Sequence, residues 1–255
     1  MQDVTSGVAF EEIEGLGPVK ATLVSSSFAL QDGSQYQSAR RENRNIIFKM
    51  DLYPDFVPES MASLRRRLYS FLMPKSDIRL SFHSDDLPTV DIFGHVETLE
   101  TPLFSRKTSM QSSILCFDPD FFDPDPVVIE GETTDTELTS VIDYEGSIET
   151  GIKFTLNVDR ALDEFTIYHK PPDDQLRALT FETPLEAGDV LEISTVSGSK
   201  GATLLRDSTL TSVLYGVSPF SNWIELQPGE NEYRVYATGD EIPFTIEYVN
   251  RYGGL

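Results

Sequence analysis

The stretch from Ile78 to Phe122 leaves this chain few choices of fold. Apolar residues fall at alternate positions, first Ile78, Leu80 and Phe82, then Val90, Ile92, Gly94 and Val96. That is the period of a half-buried strand. Asp85, Asp86 and Pro88 stand between the two runs and predict a turn that folds the chain back on itself. A third run, Met110 to Phe117, stops abruptly at Cys116-Phe117-Asp118-Pro119. Successive strands are expected here, and no residue pattern among them is built for chemistry.

Upstream, Val19, Ala21 and Leu23 open a short strand, followed by a Ser-rich turn and Phe28-Ala29-Leu30. Asp32-Gly33 predicts a tight turn, because Asp-Gly supplies the positive φ that hairpins need. The segment QYQSARRENRN, Gln35 to Asn45, is polar and carries Arg40, Arg41 and Arg44. It reads either as a loop or as an arm that meets another subunit, since three arginines in an acidic protein seek carboxylates. On the second reading Arg40, Arg41 and Arg44 are subunit-interface residues.

Ile46 to Tyr53 is expected as a strand with Phe48, Met50 and Leu52 on one face. Pro54 and Pro58 then lead into a helix over Glu59 to Met73, where Met61, Leu64, Leu68, Phe71 and Leu72 share one side. Glu59 suits the positive end of that helix and Pro74 stops it, while Arg66 and Arg67 point away from the apolar stripe.

Asp118 to Glu137 is the best domain boundary. Its prolines, Pro119, Pro124 and Pro126, and its dense acidic run disfavour both helix and central strand. The expected domains are residues 1–130 and 131–255, both mainly β. In the second, candidate strands are Ile152 to Val158, Phe165 to His169, Ala178 to Glu182, Val190 to Val196, Ser212 to Tyr215, Trp223 to Leu226, Tyr233 to Ala237 and Phe244 to Val249. Turn signals such as Pro171-Pro172-Asp173-Asp174 and Ala187-Gly188-Asp189 separate them. Short strands at such spacing predict a β-sandwich.

Charge narrows the partners. The net charge is −22, with 12 Lys and Arg against 20 Asp and Glu in residues 1–130 and 8 against 22 in residues 131–255. Such a field repels nucleic acid, so sequence-specific binding is not expected, although an acidic wall lets DNA slide past without sticking. No apolar run is long enough to span a membrane, and no signal peptide is apparent at the N-terminus. The single Cys116 rules out an internal disulfide.

Chemistry finds no foothold. His83, His95 and His169 stand apart, without the spacing that gathers zinc, and there is no nucleophile elbow or phosphate loop. Asp85-Asp86 and Asp173-Asp174 sit in turns, where aspartate caps backbone locally. No cofactor, metal or catalytic residue is expected. Carbohydrate binding is the rival reading. If Ile224 and Leu226 face the core, alternation leaves Trp223 exposed or part-exposed and makes it a candidate glycan contact. The protein would then be a carbohydrate-binding module attaching to cell-surface glycans.

Taken in order, these pieces resemble the distal tail (Dit) proteins of long-tailed phages with siphovirus morphology. In the first half the likeness rests on Asp32-Gly33, the basic stretch leading to Asn45-Ile46-Ile47-Phe48, the helix SMASLRRRLYSFLMP, then DIRLSF, IFGHVETLE and ILCFDPDFF. In the second it rests on AGDVLEIST followed by SNWIELQPGENEYRVYA. The resemblance implies an N-terminal tail-tube-like β domain with one helix and a C-terminal galectin-like β-sandwich. It implies a homo-hexamer, as single or stacked rings, at the tail tip of the virion, assembled in the host cytoplasm. Its implied partners are the tail tube protein, the tail-associated hub protein and receptor-binding proteins. No long insertion interrupts the second domain, so a receptor-binding arm is not expected.

Overall fold

The alternation read over Ile46 to Tyr53 is realised as a strand in which every second side chain is buried, from Arg44 to Leu52. In this computed structural model the described residues are 6–29, 32–84, 88–102 and 108–255. The turn expected at Asp85-Asp86 lies outside them. The chain divides into two compact units, Met1–Phe121 with Gly253–Leu255, and Phe122–Tyr252. The cut thus falls inside the acidic, proline-rich stretch and ahead of residue 130.

Unit 1 is built from β1 (Val8–Glu14), β2 (Ala21–Ser26), β3 (Gln35–Arg41), β4 (Arg44–Leu52), α1 (Met61–Phe71), β5 (Asp77–Phe82), β6 (Val90–Glu100) and β7 (Ser109–Cys116). β1, β4, β7 and β6 follow one another in an antiparallel sheet, and β5 pairs with β6. Ile46, Met50, Leu52, Ile92, Val96, Met110 and Ile114 bury its inner face. α1 is capped by Ser60, whose Oγ accepts the Ser63 amide at 3.2 Å. Of its expected apolar stripe only Leu64 and Leu72 are fully buried, and Phe71 is 65% exposed.

The loop-or-arm segment is neither featureless nor wholly polar in its role. β3 pairs with β2 in a separate two-stranded sheet, closed through Gly33 at φ +86°. Every residue of β3 is exposed. Burial periodicity could not reveal a strand held by backbone hydrogen bonds alone, which is why the sequence read as loop.

Arg44 joins the pieces of unit 1. Its Nε donates to the Pro119 carbonyl at 2.6 Å, its Nη1 to those of Gly15 and Gly17, both at 2.6 Å, and its Nη2 to that of Gly253 at 2.7 Å. The guanidinium stacks on Phe121, 4.4 Å from the ring centroid, and the residue is 1% exposed. Gly15, at φ +88°, comes so close that a Cβ would meet the Asn45 carbonyl oxygen at 2.0 Å, so only glycine fits there. Burial lowers the Arg44 pKa, yet a guanidinium keeps its charge and remains a donor on every face.

β8 (Phe121–Phe122) stands at the division. Unit 2 then runs through β9 (Val127–Glu132), β10 (Ser140–Tyr144), β11 (Thr150–Gly151), β12 (Lys153–Asn157), β13 (Phe165–Lys170), β14 (Arg177–Phe181), β15 (Val190–Ser194), β16 (Gly201–Arg206), β17 (Thr209–Ser212), β18 (Glu225–Leu226), β19 (Gly229–Tyr236), β20 (Pro243–Tyr248) and β21 (Arg251–Tyr252). Two sheets, ordered β10-β19-β13-β14 and β17-β16-β15-β12-β20-β9, enclose one core. Phe154 and Phe165 stack across it with centroids 5.7 Å apart. The sandwich expected from the turn spacing is there. Ser212 to Tyr215, read as a strand, is instead the end of β17 and a short 3₁₀ turn over Leu214–Gly216. The edge strand β9 alternates in burial but lies inside the acidic, proline-rich stretch read as a boundary, and β17 is exposed throughout.

Replacing Arg44 by Lys keeps the charge but loses the planar fork that reaches four carbonyls. The expected loss of stability is about 3 kcal/mol, the scale for breaking a buried charge-assisted network. It is measured as a lowered urea midpoint.

Candidate functional site

The three interface arginines separate in space. Arg44, read as an interface group, is buried in its own unit, with four of its five N–H donors spent on carbonyls of its own chain. Arg41, at the end of β3, grips Asp120 with both terminal nitrogens, Nη2 to Oδ2 at 2.9 Å, and Asp120 is itself buried. Arg40 is left at the surface with its side chain 77% exposed, 3.8 Å from Glu42. Only Arg40 keeps a charge directed to solvent.

The β2–β3 hairpin that carries Arg40 also exposes Leu23, Val24, Phe28 and Tyr36. This apolar surface escaped the sequence reading because the four residues do not share a period.

A second surface lies on the other side of the unit 1 sequence, where α1 crosses the sheet. β1 is the sheet's edge, and its register against β4 shifts between Phe10 and Glu12. The shift leaves a groove of about 750 Å³ with Phe48 and Met50 as floor and Phe10, Ile13, Leu68 and Phe71 as walls. Phe10 and Phe48 face each other at 5.4 Å between centroids. Glu11 and Glu12 stand on the rim. Lys49 bridges Glu12 at 2.6 Å and Glu14 at 2.5 Å, one cation between two carboxylates, and both raise its pKa.

In unit 2, Ile224 and Leu226 are buried as the alternation required, but Trp223 is only part-exposed. It packs on the sandwich core, with Lys200 Nζ 5.9 Å from its ring centroid and bound to Glu225 at 3.0 Å. Asp173 caps its own turn, accepting from the Gln175 amide, Arg177 and Gln227, and those bonds hold its pKa down. His95 faces solvent, as expected, and meets Asp77 at 2.7 Å. Among the described residues no group of three or more His, Cys, Asp and Glu is placed to hold a metal ion. Burial pushes the Cys116 thiol up to about 11, which makes it a poor nucleophile.

His169 is buried in unit 2. Asn231 donates its amide to the Gln227 and Gly229 carbonyls, so its Oδ1 accepts from His169 Nε2 at 3.0 Å. The Nδ1 is left buried without a hydrogen-bond partner. Burial lowers the pKa and holds the ring neutral.

Residues 145–252 match the family described as siphovirus-type tail component, C-terminal domain. The fold is similar to the crystal structure of the Dit protein of phage SPP1, with a TM-score of 0.69, 17% identity, and 98% of this chain and 96% of that one covered. It is also similar to a chain of the phage p2 baseplate in its activated, strontium-bound conformation, with a TM-score of 0.51, 9% identity, and 98% and 92% covered. No curated protein matches the sequence. Residues 145–252 carry the siphovirus-type tail component C-terminal domain. The chain as a whole has a β-rich fold like that of the Dit protein of phage SPP1, without an evident reaction centre among the described residues.

Because the unfolded chain binds a proton at His169 more readily than the folded one, stability is full above the unfolded pKa of about 6.5 and falls as pH drops below it. His169→Gln keeps a donor to Asn231 and removes the titration. The expected result is a flatter loss of Tm between about pH 7 and 5 than in the parent protein.

Proposed function

We propose that this protein is a structural component of the phage tail tip, forming a hexameric ring that joins the tail tube to the tail-associated hub proteins and leaves a path for DNA. Its action is assembly and mechanical coupling, with no catalysed reaction. The observation that carries the reading is the likeness to SPP1 Dit, described as a paradigm of the hub adsorption apparatus in Gram-positive infecting phages, over 98% of this chain and 96% of that one. A cyclic ring of this order needs a heterologous interface, one patch meeting a different patch. Unit 1 offers two such patches, the hairpin with Arg40 and the groove beside α1. The net charge of −22 suits a channel past which DNA slides without adhering.

Light scattering with negative-stain images of the same peak tests the ring. Six copies in a closed ring, single or stacked, is the expected result. A monomer that also fails to close on purified tail tube or hub protein sinks the reading.

The glycan reading retains one observation, the part-exposed face of Trp223. A glycan-array signal abolished by Trp223→Ala would establish it. The indole's packing on the core predicts instead no signal, and a stability loss of about 3 kcal/mol for that substitution.

A further inference from the structure

We propose that the β2–β3 hairpin of one copy docks into the groove between α1 and β1 of the next copy. The proposal rests on the ring reading and deepens it by naming both halves of the contact. Both halves lie in unit 1 and both expose apolar side chains that a lone chain leaves in water. On the hairpin these are Leu23 at 67%, Phe28 at 55% and Tyr36 at 62%, and on the groove Phe71 at 65%. Since the groove is open while those hairpin side chains are exposed, the hairpin does not fill the groove of its own chain. A second copy supplies the match without any further component.

Charge selects the same pairing. Arg40 projects from the hairpin, in a chain where carboxylates outnumber cations about two to one. The β1 rim of the groove carries two carboxylates, Glu11 and Glu12, of which Glu12 is bridged by Lys49. Arg67, the cation on the helix side, is taken up by Glu59 at 3.6 Å and by the Ser6 carbonyl at 2.6 Å. Arg40 of a neighbour therefore meets carboxylate where its apolar companions meet Phe10 and Phe71. β3 and β1 are also edge strands, so each brings backbone donors and acceptors to the seam. Two different patches on one chain make a head-to-tail contact, the kind that closes a ring.

The test mixes two proteins with one added cysteine each, Leu23→Cys and Phe71→Cys, both at exposed positions that leave the core intact, while the native Cys116 is buried. Under mild oxidation the expected product is a disulfide-linked dimer holding one chain of each. Leu176→Cys, an exposed position in unit 2, is the control and should give no such dimer with Phe71→Cys. Independently, Phe71→Glu is expected to move the light-scattering mass from ring to monomer with its circular dichroism unchanged. Rings that form without the mixed dimer and survive Phe71→Glu overturn the groove pairing and leave the ring reading standing. A preparation that stays monomeric even with purified tail tube or hub protein, and gives no mixed dimer, overturns both.

Discussion

A single guanidinium, that of Arg44, holds four carbonyls that are far apart in sequence. Gly15 and Gly17 come from the turn after β1, Pro119 from the end of the strand run, and Gly253 from the chain's far side. None of these segments is apolar enough to anchor itself. A hydrogen bond to a charged donor contributes about 1.5–3 kcal/mol, and a carbonyl left buried and unpaired costs a similar amount. Several such bonds converge on one side chain, so its removal costs far more than a surface ion pair. Phe121 beneath the guanidinium excludes water and strengthens the interaction further.

The same residue shows what the sequence could and could not reveal. Alternation located β4, β5, β6 and β7, because half-buried strands write their burial into every second position. The strand was expected to begin only at Ile46, whereas the structure starts it at Arg44, in phase with Ile46, Phe48, Met50 and Leu52 on the inward face. Composition argued the other way, since arginine is rarely buried unless its donors are met, and its partners here are backbone carbonyls that no motif announces. At Trp223 alternation was a fair guide: its neighbours Ile224 and Leu226 face inward and the indole is part-exposed, packed by one side on the core. The groove was illegible for a different reason. It follows from a bulge in β1 and from Phe71 lying at the helix end beyond the sheet's cover, and both are properties of packing.

The two units handle apolar surface differently. Unit 2 buries nearly all of its inward-facing residues in one cluster between two sheets, with aromatic rings spanning the gap. Unit 1 has one main sheet and one helix, and a single helix of 11 residues cannot cover that sheet. Its exposed apolar side chains lie on the hairpin and beside the groove, and also at Tyr53, Met73, Phe93 and Phe117. Apolar surface left in water at this scale marks a domain that is underfilled by its own chain.

The return of Gly253 to the Arg44 site also sets an order in time. A ribosome releases β1 to β7 long before it releases Gly253, and the whole of unit 2 lies between them. Unit 2 has all its strands in one continuous segment and can condense as soon as that segment emerges. The tail-tube-like unit, although translated first, receives its last carbonyl only afterwards. Chains still on the ribosome therefore lack a finished Arg44 site.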